Sequence, residues 1–179
     1  MTRRADIPLT VPGHGLRSFR PDDIVRLSSL ADDAAIWDRL TDLFPRPYDL
    51  EAAIRWVGRQ RELDPPENLA IAGPEGLVGG VGVILSTVPN FRHDAELGYW
   101  LGRPHWGRGL ATAALQAFLP WAADTHGLAR FTARTFADNL ASCRVLERCG
   151  FAREGVLRGG ARKGGRQLDL VIYGLLLAS

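Results

Sequence analysis

The spacing of apolar positions changes near residue 68. Before it, apolar residues recur at helical spacing across residues 24–40, and again behind Asp49, which can cap a helix through Trp56 to about residue 63. Pro21-Asp22-Asp23 places proline and acids in the first turn of the earlier helix, and residues 15–20 read as a short strand before it. Pro45 and Pro47 interrupt the helical pattern between the two. From residue 68 onward, residues 69–72, 77–88 and 95–101 are apolar or alternating runs separated by Gly-Pro-Glu-Gly and Pro-Asn turns. This predicts consecutive antiparallel strands. Leu110, Ala114, Ala117, Phe118 and Trp121 then share one face of a helix starting near Arg108, in which Pro120 must kink the axis or leave one carbonyl unpaired. A strand at 130–136, a helix at 140–149 ended by Gly150, and a closing hairpin complete the chain. Residues 156–157 and 168–177 form the arms of that hairpin, around a glycine- and arginine-rich loop at 159–166. The expected organisation is a mobile segment at residues 1–13 and one domain at 14–177, with no internal repeat.

Composition narrows the class. With 179 residues, 46% hydrophobic and 23% charged, the chain has the mixture of a folded globular domain. A net charge of +2 gives no basic surface of the kind nucleic acid requires. Cys143 and Cys149 are six apart in the expected helix, a poor geometry for a disulfide, and read as reduced core residues. No stretch approaches the roughly 18 apolar residues of a membrane span, and the first residues lack the apolar segment of a secretory signal. The cytoplasm is therefore the expected location.

The densest chemical signal lies between the strand at 95–101 and the next helix: Arg103-Pro104-His105-Trp106-Gly107-Arg108-Gly109-Leu110-Ala111-Thr112. Glycines ahead of a helix N-terminus turn several unpaired backbone N–H groups toward one point, an arrangement that holds phosphate or simply makes a tight turn. Arg108 adds charge and Thr112 a hydroxyl. A dinucleotide loop would need Gly or Ala at position 112 and an acid about 20 residues on, and a nucleoside-triphosphate loop would need Gly-Lys-Ser/Thr; neither is present.

Glu96-Leu97-Gly98-Tyr99-Trp100-Leu101 followed by Trp106-Gly107-Arg108-Gly109-Leu110-Ala111-Thr112 closely resembles the acetyl-CoA motif of GNAT acetyltransferases, in particular the RimJ/RimL-like branch that includes ribosomal-protein N-terminal acetyltransferases. A second signature, Asn139-Leu140-Ala141-Ser142 continuing to Gly150-Phe151, resembles that branch's Asn-x-x-Ser helix. The resemblance implies an α/β (α+β) GNAT fold, with a central mixed, mostly antiparallel sheet flanked by helices. It implies acetyl-CoA as cofactor, with coenzyme A as product. Leu101 and Arg103 would pair with the pantetheine arm, residues Gly107, Arg108, Gly109, Leu110, Ala111 and Thr112 would hold the pyrophosphate, and Asn139 would hydrogen-bond the amide-bearing arm.

Transfer to an amine needs the neutral amine, and a free α-amine has a pKa of about 8, so a base assists. Glu96, at the start of its strand, is the first candidate, and burial would strengthen it as a base. A strand amide near Leu97 or Gly98 would stabilise the developing oxyanion if the strand bulges there. Ser142 would protonate the departing thiolate, with Tyr99, on the sheet face opposite Gly98, as the alternative. Trp37, Phe44 and Trp56, with Arg39 and Tyr48, would line the acceptor pocket or belong to the core. Glu96 also reads as a solvated strand acid, Ser142 as a helix-surface serine and Asn139 as an N-cap. His14, His93, His105 and His126 have no metal spacing, and Arg158, Arg162, Lys163 and Arg166 read as a solvated basic loop. The expected activity is acetyl transfer to a primary amine: a protein N-terminus, with ribosomal proteins among the candidates, an amino acid, a polyamine or a small-molecule amine. The alternative is a non-catalytic acyl-CoA sensor. A monomer or a homodimer fits the sequence equally, and neither nucleic acid nor membrane is an expected partner.

Overall fold

In the computed structural model, residues 6–177 are described. The elements in chain order are β1 (Asp6–Pro8), β2 (Gly15–Arg17), α1 (Asp23–Ala31), α2 (Ala34–Trp37), α3 (Leu50–Glu62), β3 (Asn68–Gly73), β4 (Gly76–Leu85), β5 (Asp94–Leu101), α4 (Leu110–His126), β6 (Arg130–Phe136), α5 (Leu140–Arg148), β7 (Ala152–Lys163) and β8 (Arg166–Leu176). They build one eight-stranded sheet in the order β1-β2-β3-β4-β5-β6-β8-β7. Every neighbouring pair is antiparallel except β5–β6, so the sheet is mixed and mostly antiparallel, as expected.

Local chemistry explains where the helices begin and end. Asp49 caps α3, its carboxylate accepting the Ala52 N–H at 2.7 Å. Residues 24–40 do not form the single helix that their spacing suggests. Asp33 turns its carboxylate to the Ala35 N–H at 2.8 Å and starts α2, while Asp32 accepts the N–H of Tyr48 at 3.0 Å, so paired aspartates end one helix and cap the next. Pro120 sits inside α4 on its exposed side, as does Gln116 one turn before it, whose carbonyl receives no N–H from the proline.

Three further expectations are corrected. Within the stretch expected to be mobile, Asp6–Pro8 pairs with β2, Ile7 opposite Leu16; residues 1–5 lie outside the described residues. The closing hairpin is much longer than its apolar residues indicate, because the supposed loop at 159–166 is largely strand, with the register shifted between Leu157 and Ala161. Its tip is Gly164-Gly165, both at positive φ. Finally, Lys163 is not solvated but 2% exposed.

Two hydrophobic clusters cover opposite faces of the sheet. Beneath α4 and α5, Leu110, Ala114, Phe118 and Leu146 pack on Val81, Val83, Leu97, Leu101 and Phe131. Beneath α1 and α3, Leu27, Ala31, Ala53 and Val57 pack with Phe19, Ala70 and Leu77, and Trp100 packs against them. Odd-numbered residues of β5 therefore face α4 and α5, and Trp100, with its even-numbered neighbours, faces the other side.

Candidate active site

The sheet opens at one place. β5 and β6 pair only at Asp94↔Arg130, Ala95↔Phe131 and Glu96↔Thr132, after which β5 stays with β4 and β6 with β8. The Gly102 N–H donates to the Val78 carbonyl at 2.9 Å. By the two-residue alternation of a strand, the backbone groups of Gly98 and Trp100 also point to β4, and those of Leu97, Tyr99 and Leu101 point into the fork. The Leu101 carbonyl already accepts a 2.8 Å hydrogen bond from Trp106 Nε1, which ties the following loop to the end of β5. The expected bulge at Leu97 and Gly98 is absent, since the β4–β5 register runs unbroken from Leu85↔Ala95 to Gly79↔Leu101. Alternation alone aims the Leu97 amide at the fork.

The loop after β5 ends at the N-terminus of α4. Gly107 and Gly109 have φ of 73° and 75°, a conformation glycine adopts without strain, and Gly109 is the N-cap. The first bond of the helix runs from the Ala113 N–H to the Gly109 carbonyl, so the amides of Leu110, Ala111 and Thr112 precede it and point outward. A Cβ built on Gly107 or Gly109 meets nothing within 4 Å, so the approach to these amides is open. Arg108 is exposed beside them. These residues fit a pyrophosphate: unpaired donors, a helix N-terminus and an adjacent cation. Arg103 turns its guanidinium to Asp33, Nε to Oδ2 at 2.9 Å, leaving only its backbone toward the loop.

On the α5 side of the fork three predicted residues come together. Asn139 caps α5, its Oδ1 accepting the Ser142 N–H at 3.3 Å, while its side-chain NH2 stays a donor. Ser142 Oγ lies 2.8 Å from the Tyr99 hydroxyl. Burial pushes the Tyr99 phenol up to about 12, against the opposing pull of its hydrogen bond to Ser142.

Glu96 lies on the other face. Its side chain is 36% exposed and its carboxylate is 3.7 Å from the Arg134 guanidinium, so the burial expected of a strengthened base is missing. It continues a charged ladder along this face, in which Arg130 meets Glu154 at 2.6 Å and Asp94 at 3.4 Å, and Thr132 Oγ1 donates to Asp94 at 2.8 Å. Arg134 was missed in the sequence, although it follows Thr132 by two residues and so must share its face.

A cleft of about 290 Å³ opens between Ala35, Asp38, Arg39, Trp106, Asp138, Arg166 and Leu168, with Arg39 and Asp138 paired at 3.3 Å. Of the residues expected to line an acceptor pocket, only Arg39 borders this cleft. Trp56 packs edge-on against Phe19 at 6.3 Å, and Phe44 lies between Tyr48 at 4.8 Å and Trp100 at 5.9 Å, so these rings belong to the core beneath α1 and α3. Trp37 packs against Lys163 and Arg46 instead. Among the described residues no group of three His, Cys, Asp or Glu side chains is placed to hold a metal, and no helix is long and apolar enough to cross a membrane. Cys143 and Cys149 are free thiols, both half-buried.

The family model described as an acetyltransferase (GNAT) domain matches residues 15–152. The chain is 33% identical over 100 residues to the ribosomal-protein-serine acetyltransferase of Escherichia coli (strain K12), covering 55% of this chain and 56% of that protein. It is 27% identical over 160 residues to the uncharacterized N-acetyltransferase YoaA of Bacillus subtilis (strain 168), covering 88% of this chain and 83% of that protein. With the N-acetyltransferase p20 of Bacillus licheniformis the match covers 46% of each protein, so the chain spans about half the length of several of its curated relatives. Among solved structures, RimL, a ribosomal L7/L12 alpha-N-protein acetyltransferase in complex with coenzyme A, superimposes with a TM-score of 0.83 at 22% identity, covering 96% of this chain and 98% of that one. Mycobacterium smegmatis RimJ with a CoA-disulfide gives 0.81 at 24% identity, covering 96% and 86%. At these identities the structural likeness establishes a shared fold.

Proposed function

The chain belongs to the GNAT acetyltransferase family, and on that premise we propose that it moves the acetyl group of acetyl-CoA to an α-amine, with a peptide or protein N-terminus as acceptor, by direct attack in a ternary complex. The observation that carries this reading is the disposition of the groups about the fork: Glu96 on one face of the sheet, the Tyr99–Ser142 pair on the other, at the point where β5 and β6 part. An amine arriving over Glu96 and a thioester held beside α5 meet in that gap.

Bound acetyl-CoA supplies the activated acyl group. The amides of Leu110, Ala111 and Thr112 would hold its pyrophosphate, the Leu101 N–H and the Asn139 NH2 would bind its arm, and the Leu97 amide, which points into the fork, would donate to the acyl oxygen. Glu96 takes the proton of the incoming ammonium, directly or through water. An α-amine asks little of that base, since about a quarter of it is neutral at pH 7.5, whereas a lysine amine is neutral to only about one part in a thousand. That difference favours N-termini and amino acids over lysine side chains, and the ribosomal-protein substrates named for RimL and the E. coli relative favour N-termini.

At the leaving sulfur the pair acts as a hydrogen-bond donor. A phenol at about 12 does not surrender its proton to a thiolate whose acid has a pKa of about 8.5; the transfer would run uphill by roughly 5 kcal/mol. Tyr99 therefore fixes Ser142, and the Ser142 hydroxyl solvates the sulfur until water protonates it.

The test is thiol release from acetyl-CoA against peptides with Ser, Ala, Met or Asp N-termini, free amino acids, spermidine and an aminoglycoside, with wild type and Glu96→Gln. Turnover on peptides, cut about a hundredfold by Glu96→Gln at unchanged coenzyme A affinity, is the expected result. Tight cofactor binding with no turnover on any amine would instead identify a sensor.

A further inference from the structure

The chain's single lysine, Lys163, is the last residue of β7 and is 2% exposed. Its Nζ lies 2.7 Å from Asp42 Oδ1 and 3.3 Å from the centroid of the Trp37 ring. A desolvated ammonium over an indole, with a carboxylate on it, is a strong contact, and it reaches from the tip of the β7–β8 hairpin to the segment that follows α2. The same two segments both line the 290 Å³ cleft: Ala35, Asp38 and Arg39 flank Trp37 in sequence, and Arg166 and Leu168 follow Lys163. Trp106, from the loop that leads to α4, lines the cleft as well.

We propose that Lys163 is a positioning residue for the acceptor: by clasping Trp37 and Asp42 it fixes the separation of the two segments, and so sets how the amine-bearing chain lies in the cleft. This rests on the acyl-transfer reading and extends it to a side chain that touches neither cofactor nor reacting atoms. The glycines at the tip leave the clasp to Lys163. Gly164 and Gly165 carry no side chain to pack and both hold positive φ, so Lys163 is the buried side chain nearest the tip of the hairpin.

The test compares Lys163→Met, Lys163→Arg and wild type. Methionine keeps the apolar stem over Trp37 and leaves Asp42, which is 63% exposed, in water, so no buried charge is orphaned and the variant is expected to fold. With a pentapeptide bearing an N-terminal serine, Lys163→Met is expected to raise the peptide KM about tenfold, with kcat and the acetyl-CoA KM within about twofold, and Lys163→Arg is expected to restore most of it. In hydrogen exchange, the amides of residues 41–44 and 46 and of residues 164–168 should speed up together by more than tenfold in Lys163→Met while those of α4 stay unchanged. An unchanged peptide KM, equal rises in both KM values, or unchanged exchange at the two segments overturns the proposal. If wild type acetylates no amine, the transfer reading itself falls, and the exchange result alone still decides whether Lys163 ties the segments together.

Discussion

Gly109 and Gly127 bracket α4 and give the phosphate-cradle assignment an internal control. Gly109 is its N-cap at φ 75°, Gly127 its C-cap at φ 65°, and a Cβ on either meets nothing within 4 Å. Alanine at each site therefore incurs backbone strain without a clash. Holding alanine in the left-handed region costs roughly 1–2 kcal/mol, offset by roughly 0.4–1 kcal/mol from the stiffer unfolded chain, a net loss of about 1 kcal/mol. For a domain of this size that lowers Tm by about 2–4 °C. The two variants should be alike by this measure.

They should part in cofactor affinity. If the amides beyond Gly109 hold phosphate, a Cβ on that residue enters the space the phosphate needs and displaces at least one charge-assisted hydrogen bond, a loss of about 1.5 kcal/mol or more, or about tenfold in Kd. Titration calorimetry with coenzyme A reads this directly. The expected result is a Kd raised at least tenfold in Gly109→Ala and within about twofold of wild type in Gly127→Ala, at equal loss of Tm. A Gly109→Ala variant that binds with wild-type affinity, or a pair that weakens binding equally, would refute the assignment of these amides to phosphate.

Two further predictions follow from the fork and the buried phenols. Tyr99→Phe and Ser142→Ala should each lower kcat about tenfold with coenzyme A affinity within twofold, and the double variant should be little worse than either, because the two hydroxyls act as one hydrogen-bonded unit; fully additive losses would mean that they act separately. Burial holds Tyr48 and Tyr99 at about 12 and raises Tyr173 as well, so all three phenols stay protonated in the native state past the pH where they ionise in an unfolded chain. The sign follows: these groups do not alter stability below about pH 10, and above it the unfolded state sheds protons that the native state keeps, a loss of about 1.4 kcal/mol per tyrosine per pH unit. Absorbance at 295 nm should stay flat past pH 10 and rise only as ellipticity at 222 nm collapses. A phenolate signal near pH 10 from the folded protein would contradict the burial.

Much of the fold was legible because short-range chemistry decided it. Asp49 as a cap, Gly150 after α5 and the largely alternating polar and apolar residues at Arg130–Phe136 are local signals, and the structure follows them. Where the reading failed, a distant partner decided instead. β1 is three residues with a proline, too short to show a period, and exists because β2 lies beside it. β7 contains Gly155, Gly159 and Gly160 among charged residues, a loop by composition that becomes strand by pairing with β8. The glycine loop and Asn139-x-x-Ser142 were legible as contiguous motifs. For Glu96 the sequence left a buried base and a solvated strand acid both open, and its pairing with Arg134 was not legible because that residue comes from a strand that pairs with β5 for only three residues. Nor was the Lys163 clasp, whose partners Trp37 and Asp42 lie in the first third of the chain.

The topology itself explains why cradle and fork lie at the same end. β5 and β6 are the single parallel pair, so α4 must carry the chain back from the end of β5 to the start of β6, and its N-terminus necessarily lies at the C-terminal end of β5. That is the end at which β5 and β6 have already separated, past Glu96 and Thr132. Glu96 and Tyr99 are three residues apart on one strand, and the alternation of side chains puts them on opposite faces. In an unbroken sheet that separation would keep a base and a leaving-group partner permanently apart. Because the sheet opens between them, a nucleophile can approach from the face of Glu96 while a thioester is held from the face of Tyr99 and Ser142. On the proposed acyl-transfer reading, a parallel pair that lets go after three residues is thus what would join a phosphate cradle, a base and a sulfur-solvating pair into one reaction centre.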